Sequence, residues 1–183
     1  MLTKELRAEH HDILAVLNVL EAMCDQLEEG KELVRGDQEL LLDFLQTFVG
    51  LGHHPKEDKG LFPALEEEGV IRKEAVGSLA AEHETSREHL ARMTRAVQEG
   101  HPTAEAFVEA GREYVKLLRD HVRREDMDVF PVADRDLPAE VQLGVQQEFD
   151  RIGREELGEA VHQEMHRIAR HLVARHGAPF EQM

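Results

Sequence analysis

The chain has 183 residues, which suits one domain with a modest appendage, and 22 basic against 38 acidic residues give it a formal net charge of -16. A surface this acidic repels phosphate backbones and anionic lipid headgroups, so we expect neither nucleic acid nor a membrane as a partner. The single cysteine, Cys24, excludes an internal disulfide framework and a cysteine-based zinc site, and its place in an apolar stripe predicts a small buried hydrophobe.

The sequence contains 12 histidines beside a single tyrosine and no tryptophan. No stretch approaches the roughly 18 to 20 consecutive apolar residues of a membrane helix, and the N-terminus reads directly as a helix with no apolar signal core. We therefore expect a cytoplasmic protein. Histidine at this density in such a protein favours a metal site.

Helical periodicity dominates from the N-terminus onward, with apolar residues at steps of three and four and no convincing strand. The first predicted helix covers about 3–29 and ends at Gly30. The second covers about 37–68 and contains three residues that disturb a regular helix, Gly50, Gly52 and Pro55. They predict a kink or local bulge near His53.

The third predicted helix covers about 72–99 and ends at Gly100, and the fourth opens near Pro102 and Thr103 and runs to about 129. A fifth helical segment opens around Pro138 and continues to about 175. This order predicts an all-α fold: an up-down four-helix bundle over residues 1–136, with a C-terminal helical extension over 137–183 that packs on it.

One sequence pattern occurs twice. Residues 53–63 read HHPKEDKGLFP and residues 121–131 read HVRREDMDVFP, so both fit His-x-x-x-Glu-Asp-x-x-x-Phe-Pro with an offset of 68 residues. That offset corresponds to two helices and two connections, which places the copies on the second and fourth helices. The period is too long for a solenoid repeat, so we interpret the pair as a pseudo-twofold site.

The spacing His-x-x-x-Glu puts an imidazole and a carboxylate on one face of a helix, one turn apart. Two such copies supply two imidazoles and two carboxylates, and each carboxylate can bridge two metal ions inside a bundle. His10 and His83 fall on the apolar faces of the first and third helices, so each of the four helices points one histidine inward. Buried carboxylates without partners cost several kcal/mol each, which weighs against reading these histidines as ordinary core residues.

Other histidines fall on different helix faces and are not expected as ligands: His11, His54 and His89. The order of the remaining residues, His10, His53-x-x-x-Glu57, His83 and His121-x-x-x-Glu125, resembles the hemerythrin-like family of His-His-Glu cation-binding domains over roughly residues 5 to 133. The resemblance implies a four-helix bundle. It also implies a non-haem di-iron centre in which Glu57 and Glu125 bridge the ions and the histidines are terminal ligands, with zinc or manganese as alternative metals.

The sequence departs from the family's oxygen carriers, whose third helix supplies two histidines four residues apart. Here Arg87 stands four residues after His83, so one metal should have an open position or draw a ligand from elsewhere. The C-terminal helix offers Glu159, His162 and His166 on one face, and we predict that His162 and His166 complete or cap the centre. The alternative interpretation of that face is a solvated row of salt bridges.

These residues favour a di-iron protein that binds or reacts with oxygen, peroxide or nitric oxide, in a sensing, protective or redox role. Its partner would then be a small diatomic ligand or peroxide, with enzymatic turnover left open. The alternative is an iron-storage, iron-delivery or iron-sensing module without turnover. A third option is a helical protein structured by zinc.

Overall fold

A computed structural model describes residues 1–99 and 104–177, and within these ranges helices are the regular elements and there are no strands. The predicted all-α class is therefore confirmed. The connection expected at Gly100, Pro102 and Thr103 lies outside the described residues. In the part of the chain that the structure covers, no helix combines the length and the apolar character needed to cross a bilayer.

The first bundle helix is α1 (Lys4–Glu28). The second is built from five consecutive segments: α2 (Arg35–Phe44), a π-helix (Leu45–His53), α3 (His54–Lys56), a π-helix (Glu57–Leu61) and α4 (Phe62–Glu67). The third is α5 (Lys73–Glu99), and the fourth consists of α6 (Ala104–Arg124), a π-helix (Glu125–Val129) and α7 (Phe130–Asp136). The C-terminal extension comprises α8 (Ala139–Ile152), a π-helix (Gly153–Leu157) and α9 (Glu159–His176).

The bulge predicted near His53 is present as a π-helix, and a further π-helix occurs at the same place in both copies of the repeat. Pro63 and Pro131 lack a backbone N–H and would crowd the carbonyl four residues earlier in a regular α-helix. The preceding phenylalanine N–H instead donates to the carbonyl five residues back, that of Glu57 or Glu125. The Phe-Pro ending of the repeat thus coincides with a widened turn that starts at each glutamate.

Two hydrophobic clusters divide the bundle along its length. The first contains Leu6, Phe62, Leu79, Phe130 and Phe149 among its members. The second contains Leu17, Phe44, Met93, Phe107 and Ile168. The first helix passes from the first cluster to the second, the second helix returns, and the third and fourth repeat this alternation. Consecutive helices are therefore antiparallel, as an up-down bundle requires, and each crosses the layer between the clusters.

The C-terminal extension contributes to both clusters, because α8 buries Phe149 in the first and α9 buries Ile168 in the second. Close approach of α8 depends on Gly60, where an added Cβ would lie 3.0 Å from a ring carbon of Phe149. A similar approach occurs inside the bundle, where a Cβ on Gly111 would lie 2.9 Å from the sulfur of Cys24. Cys24 is buried, as predicted. The domain boundary after residue 136 stays a prediction.

Candidate metal centre

The layer between the two hydrophobic clusters holds six ionisable side chains, each at most 1% exposed. One histidine comes from each bundle helix, and one glutamate comes from each of the second and fourth: His10, His53, Glu57, His83, His121 and Glu125. These are the six residues that the sequence predicts as ligands on the four bundle helices. The structure brings all six together.

The six side chains form two half-sites. In the first, Nε2 of His10 lies 3.2 Å from Nε2 of His53, and in the second, Nε2 of His83 lies 3.1 Å from Nε2 of His121. Each pair of histidines forms a group with both glutamates in which one ligand atom per residue lies within 4.8 Å of the others. Each half-site therefore offers two imidazole nitrogens and two carboxylate oxygens to one cation.

Each glutamate faces both half-sites. Oε1 of Glu57 lies 3.3 Å from Nε2 of His53, while its Oε2 lies 3.3 Å from Nε2 of His83. Oε1 of Glu125 lies 3.2 Å from Nε2 of His121, while its Oε2 lies 3.4 Å from Nε2 of His10. The two carboxylates are thus oriented to give one oxygen to each of two ions, which is the geometry of a bridging ligand.

Acidic side chains fix the orientation of all four imidazoles. In each case the second ring nitrogen, Nδ1, lies 2.9–3.0 Å from a carboxylate oxygen: His10 from Asp126, His53 from Glu9, His83 from Asp58 and His121 from Glu82. An Nδ1–H that donates to a carboxylate leaves the lone pair on Nε2, which faces the centre. Histidines that bind metal ions are held in this way, and the carboxylate also makes the imidazole a stronger ligand.

The long repeat supplies two of these four carboxylates. The aspartate of each copy reaches across to the histidine of the neighbouring odd-numbered helix, Asp58 to His83 and Asp126 to His10. The phenylalanine of each copy stacks on the same ring, with centroids 5.7 Å apart for Phe62 and His83 and 5.2 Å apart for Phe130 and His10. The histidine, glutamate, aspartate and phenylalanine of the pattern therefore each have a partner at the centre.

A second, shorter repeat supplies the remaining carboxylates. Glu9-His10 on the first helix and Glu82-His83 on the third are equivalent dipeptides, and their glutamates accept from the histidines of the long repeat. The residue before each bridging glutamate is basic and pairs with the same acids, Lys56 with Glu9 and Arg124 with Glu82. The contacts of Glu9 and Glu82 with the histidines were not predicted from the sequence. The Glu-His dipeptide that occurs on both the first and the third helix was a sequence signal for them.

The oxygens of the two central glutamates lack hydrogen-bond partners among the described residues. Both Glu57 and Glu125 are fully buried, and in the described part of the chain none of their four oxygens has a hydrogen-bond partner. Burying an unpaired carboxylate costs several kcal/mol, and here two of them face each other. Two ions in the half-sites would satisfy all four oxygens, so the residues fit a dinuclear metal centre.

The pKa values of the metal-free chain show how protons would take the place of ions. Burial and the charge of Glu125 raise the pKa of Glu57 well above its usual range. Burial opposes ionisation of Glu125 as well, but the charges of His121 and His10 outweigh it and lower the pKa of Glu125. Burial also disfavours the charged imidazoles, yet the surrounding carboxylates raise the pKa of His10 and of His121 to about 9. By contrast, burial lowers the pKa of His53 to about 4.

His54 lies inside the centre, so the expectation that it falls on another helix face is wrong. Its side chain is 2% exposed, and its ring stacks on that of His83 with centroids 3.8 Å apart and planes 13° apart. One ligand atom each of His54, His83 and His121 lies within 4.8 Å of the others. Consecutive residues of a regular α-helix are about 100° apart, but the π-helix ending at His53 has a wider turn and lets both histidines point inward.

His162 and His166 have partners of their own outside the six-residue cluster. Their rings lie 4.4 Å apart on α9 and both contact Phe48, with centroids at 5.8 and 5.5 Å. His166 also pairs with Asp12, at 2.8 Å between Nδ1 and Oδ2. Among the described residues, the groups that could hold an ion include neither histidine.

An antiparallel helical bundle with a buried layer of histidine and glutamate defines a helical cation-binding domain. The family model described as the hemerythrin HHE cation-binding domain matches residues 1–133, and the chain belongs to this family. Comparisons with curated proteins and with solved structures give no match. Arg87, which stands four residues after His83, does not take part in the centre. Its side chain is exposed and pairs with Glu84.

Proposed function

We propose that the protein holds two iron ions and binds or reacts with oxygen, peroxide or nitric oxide. The observation that carries this proposal is the pair of buried glutamates, Glu57 and Glu125, each oriented toward both half-sites. Mixed imidazole and carboxylate ligands suit iron, and di-iron centres of helical bundles are built from inward-facing residues of this kind. When bound, iron would supply the electrons for chemistry on a small oxygen or nitrogen species.

The protein's contribution is to orient the ligands and limit access of water. Four carboxylates hold the imidazoles in place before any ion binds, which preserves the distances between half-sites. A cavity of about 830 Å³ extends along α1 and the fourth helix and is lined in part by His10, Leu14, Val122 and Met127. This cavity gives a small molecule a route toward the first half-site.

The alternative role, in which iron is stored, delivered or sensed without turnover, is distinguished by stoichiometry and reactivity. All six proposed ligands are almost completely buried, and they form two half-sites. This arrangement favours two permanently bound iron ions over iron that is taken up and released. A storage protein would take up iron beyond two ions per chain. A resident centre would stop at two.

The test loads the protein with ferrous iron without oxygen and measures iron per chain and the absorption spectrum before and after oxygen, peroxide or nitric oxide. We expect two irons per chain and a spectrum that changes with at least one of these ligands. Glu125→Gln should lose one ion, whereas Glu140→Gln, an equal change of charge at an exposed position, should keep both. Fewer than two irons per chain after loading would contradict the proposal, and two irons that respond to no ligand would support the alternative role.

A further inference from the structure

The two copies of the repeat differ at the residue after the first histidine. The offset of 68 residues pairs His54 of the first copy with Val122 of the second, and both side chains are buried, at 2% and 3% exposed. The other residues of the repeat described above have chemically similar counterparts at the centre: the bridging glutamates, the aspartates, the phenylalanines and the basic residues. The difference between His54 and Val122 is therefore the point at which the pseudo-twofold symmetry breaks.

From this we infer that His54 is a fifth imidazole ligand and binds the ion of the His83–His121 half-site. The two ions then differ: one has three imidazoles and the other, at His10 and His53, has two and keeps an open coordination position. The inference rests on the proposed function, because it assigns a residue of this chain to the same centre. Arg87 occupies the position at which the oxygen carriers have a second histidine on the third helix. His54, on the second helix, would supply the imidazole that is missing there.

The position of His54 supports ligation over simple packing. Its Nδ1 is buried and, among the described residues, has no hydrogen-bond partner, which costs about 1–3 kcal/mol for a neutral polar group. Its ring lies parallel to that of His83, and one ligand atom of each lies within 4.8 Å of a ligand atom of His121. An imidazole binds a metal ion in the plane of its ring, so ligation of the ion that His83 faces requires the His54 ring to turn out of this stack.

The position of Val122 supports the other half of the inference. Val122 and His10 both line the cavity of about 830 Å³, so the half-site without a third imidazole is the one beside the open space. An apolar side chain there cannot occupy a coordination position. A small ligand that enters the cavity would therefore meet the ion held by His10 and His53, while His54 blocks the equivalent position on the other ion.

The decisive measurement is Mössbauer spectroscopy of protein loaded with two ferrous ⁵⁷Fe ions, combined with titration of the second ion. In the natural sequence we expect two quadrupole doublets of equal area from two different irons. His54→Val gives the first copy the residue of the second and should change one doublet so that the two move together. It should also weaken the second binding step by at least the roughly 10–100-fold that loss of an outer partner of a metal ligand costs.

Two further variants make the result interpretable. His54→Gln keeps a polar side chain of similar size and should show the same change, so the inference remains testable if His54→Val does not fold. His11→Val is the matched control, because His11 follows His10 as His54 follows His53 but is exposed. It should retain the spectrum and affinity of the natural sequence.

The outcomes separate this inference from the proposed function. A natural protein that binds fewer than two irons would contradict the di-iron centre itself. If it binds two irons, and the folded His54 variants keep both doublets and the same second affinity, then the centre stands and His54 is not a ligand. A changed doublet in His54→Gln with an unchanged His11→Val establishes His54 as a ligand.

Discussion

Binding of two divalent ions should release at least two protons at pH 7. The pKa values of His10 and His121 are raised to about 9 in the metal-free chain. Two pH units below such a pKa, each imidazole is about 99% protonated. A ligand histidine must be neutral, so each proton leaves when the ion binds. Glu57, whose pKa is also raised, adds to the release to the extent that it is protonated.

Calorimetric titration measures this release directly. Cobalt(II) serves as a probe that does not oxidise, and the binding enthalpy is recorded at one pH in buffers of different ionisation enthalpy, where the slope gives the number of protons. At pH 9.5 a group with a pKa of about 9 is only about one quarter protonated. The release from the two histidines should therefore fall to roughly half a proton in total.

Substitution of an outer carboxylate tests the cause of the release. Asp126 lies 3.0 Å from Nδ1 of His10 and raises its pKa, so Asp126→Asn should release fewer protons at pH 7 than the natural sequence. Asp128→Asn, at an exposed position of the same segment, should not change the number. Release of less than one proton at pH 7, or release that stays the same between pH 7 and 9.5, would refute this account of the charges.

Four further predictions concern the metal content, the stability and the response to acid. Glu57→Ala should reduce the metal content from two ions per chain to one, as measured by atomic emission, while Glu84→Ala at an exposed position should not. The raised pKa values of His10 and His121 stabilise the metal-free protein below about pH 6.5, and this stability is lost as the pH rises through about 9, so its urea midpoint should fall over that range. The loaded protein should instead lose its ions below about pH 6, because protons then compete for the histidines. Lys56→Met leaves the buried Glu9 with His53 as its remaining partner and should lower the free energy of unfolding in urea by roughly 1.5–3 kcal/mol.

The bundle and its six central residues could be predicted because both depend on local periodicity. An apolar stripe fixes which face of a helix is buried, and a polar residue on that face, such as His10 or Glu57, must then have a partner in the interior. His54 could not be placed in the same way. A face assigned with 3.6 residues per turn is wrong where the helix widens, and the π-helix before His54 depends on the whole fold as well as on nearby proline and glycine.

The outer carboxylates escaped prediction for a different reason. Glu9 and Glu82 are two of 38 acidic residues, and glutamate on a helix is by default exposed. The spacing of a single glutamate does not separate it from the others. The repeated Glu-His dipeptide at 9–10 and 82–83 is the one sequence signal, and the contacts across helices show what it means.

The sequence predicts that the C-terminal extension packs on the bundle, but periodicity could not show which residues make the contact. Gly52 and Gly60 disturb the second helix, yet each allows a side chain of the extension to approach it, Leu157 at the first and Phe149 at the second. Ligation by His162 and His166 stays a prediction.

The charges around the centre account for the basic residue that precedes each bridging glutamate. The acidic side chains that contact the four histidines are Glu9, Glu57, Asp58, Glu82, Glu125 and Asp126. Together with Glu5, which shares Lys56, they carry seven negative charges when ionised, of which Lys56, Arg124 and Arg7 offset three. Two divalent ions neutralise the remaining four, so the protein fits two divalent cations without further charge. Oxidation of both ions would add two positive charges in a buried layer, where uncompensated charge is costly. A ligand that carries two negative charges and enters beside Val122 would restore the balance, so the charge count supports the proposed reaction with a small molecule able to become an anion.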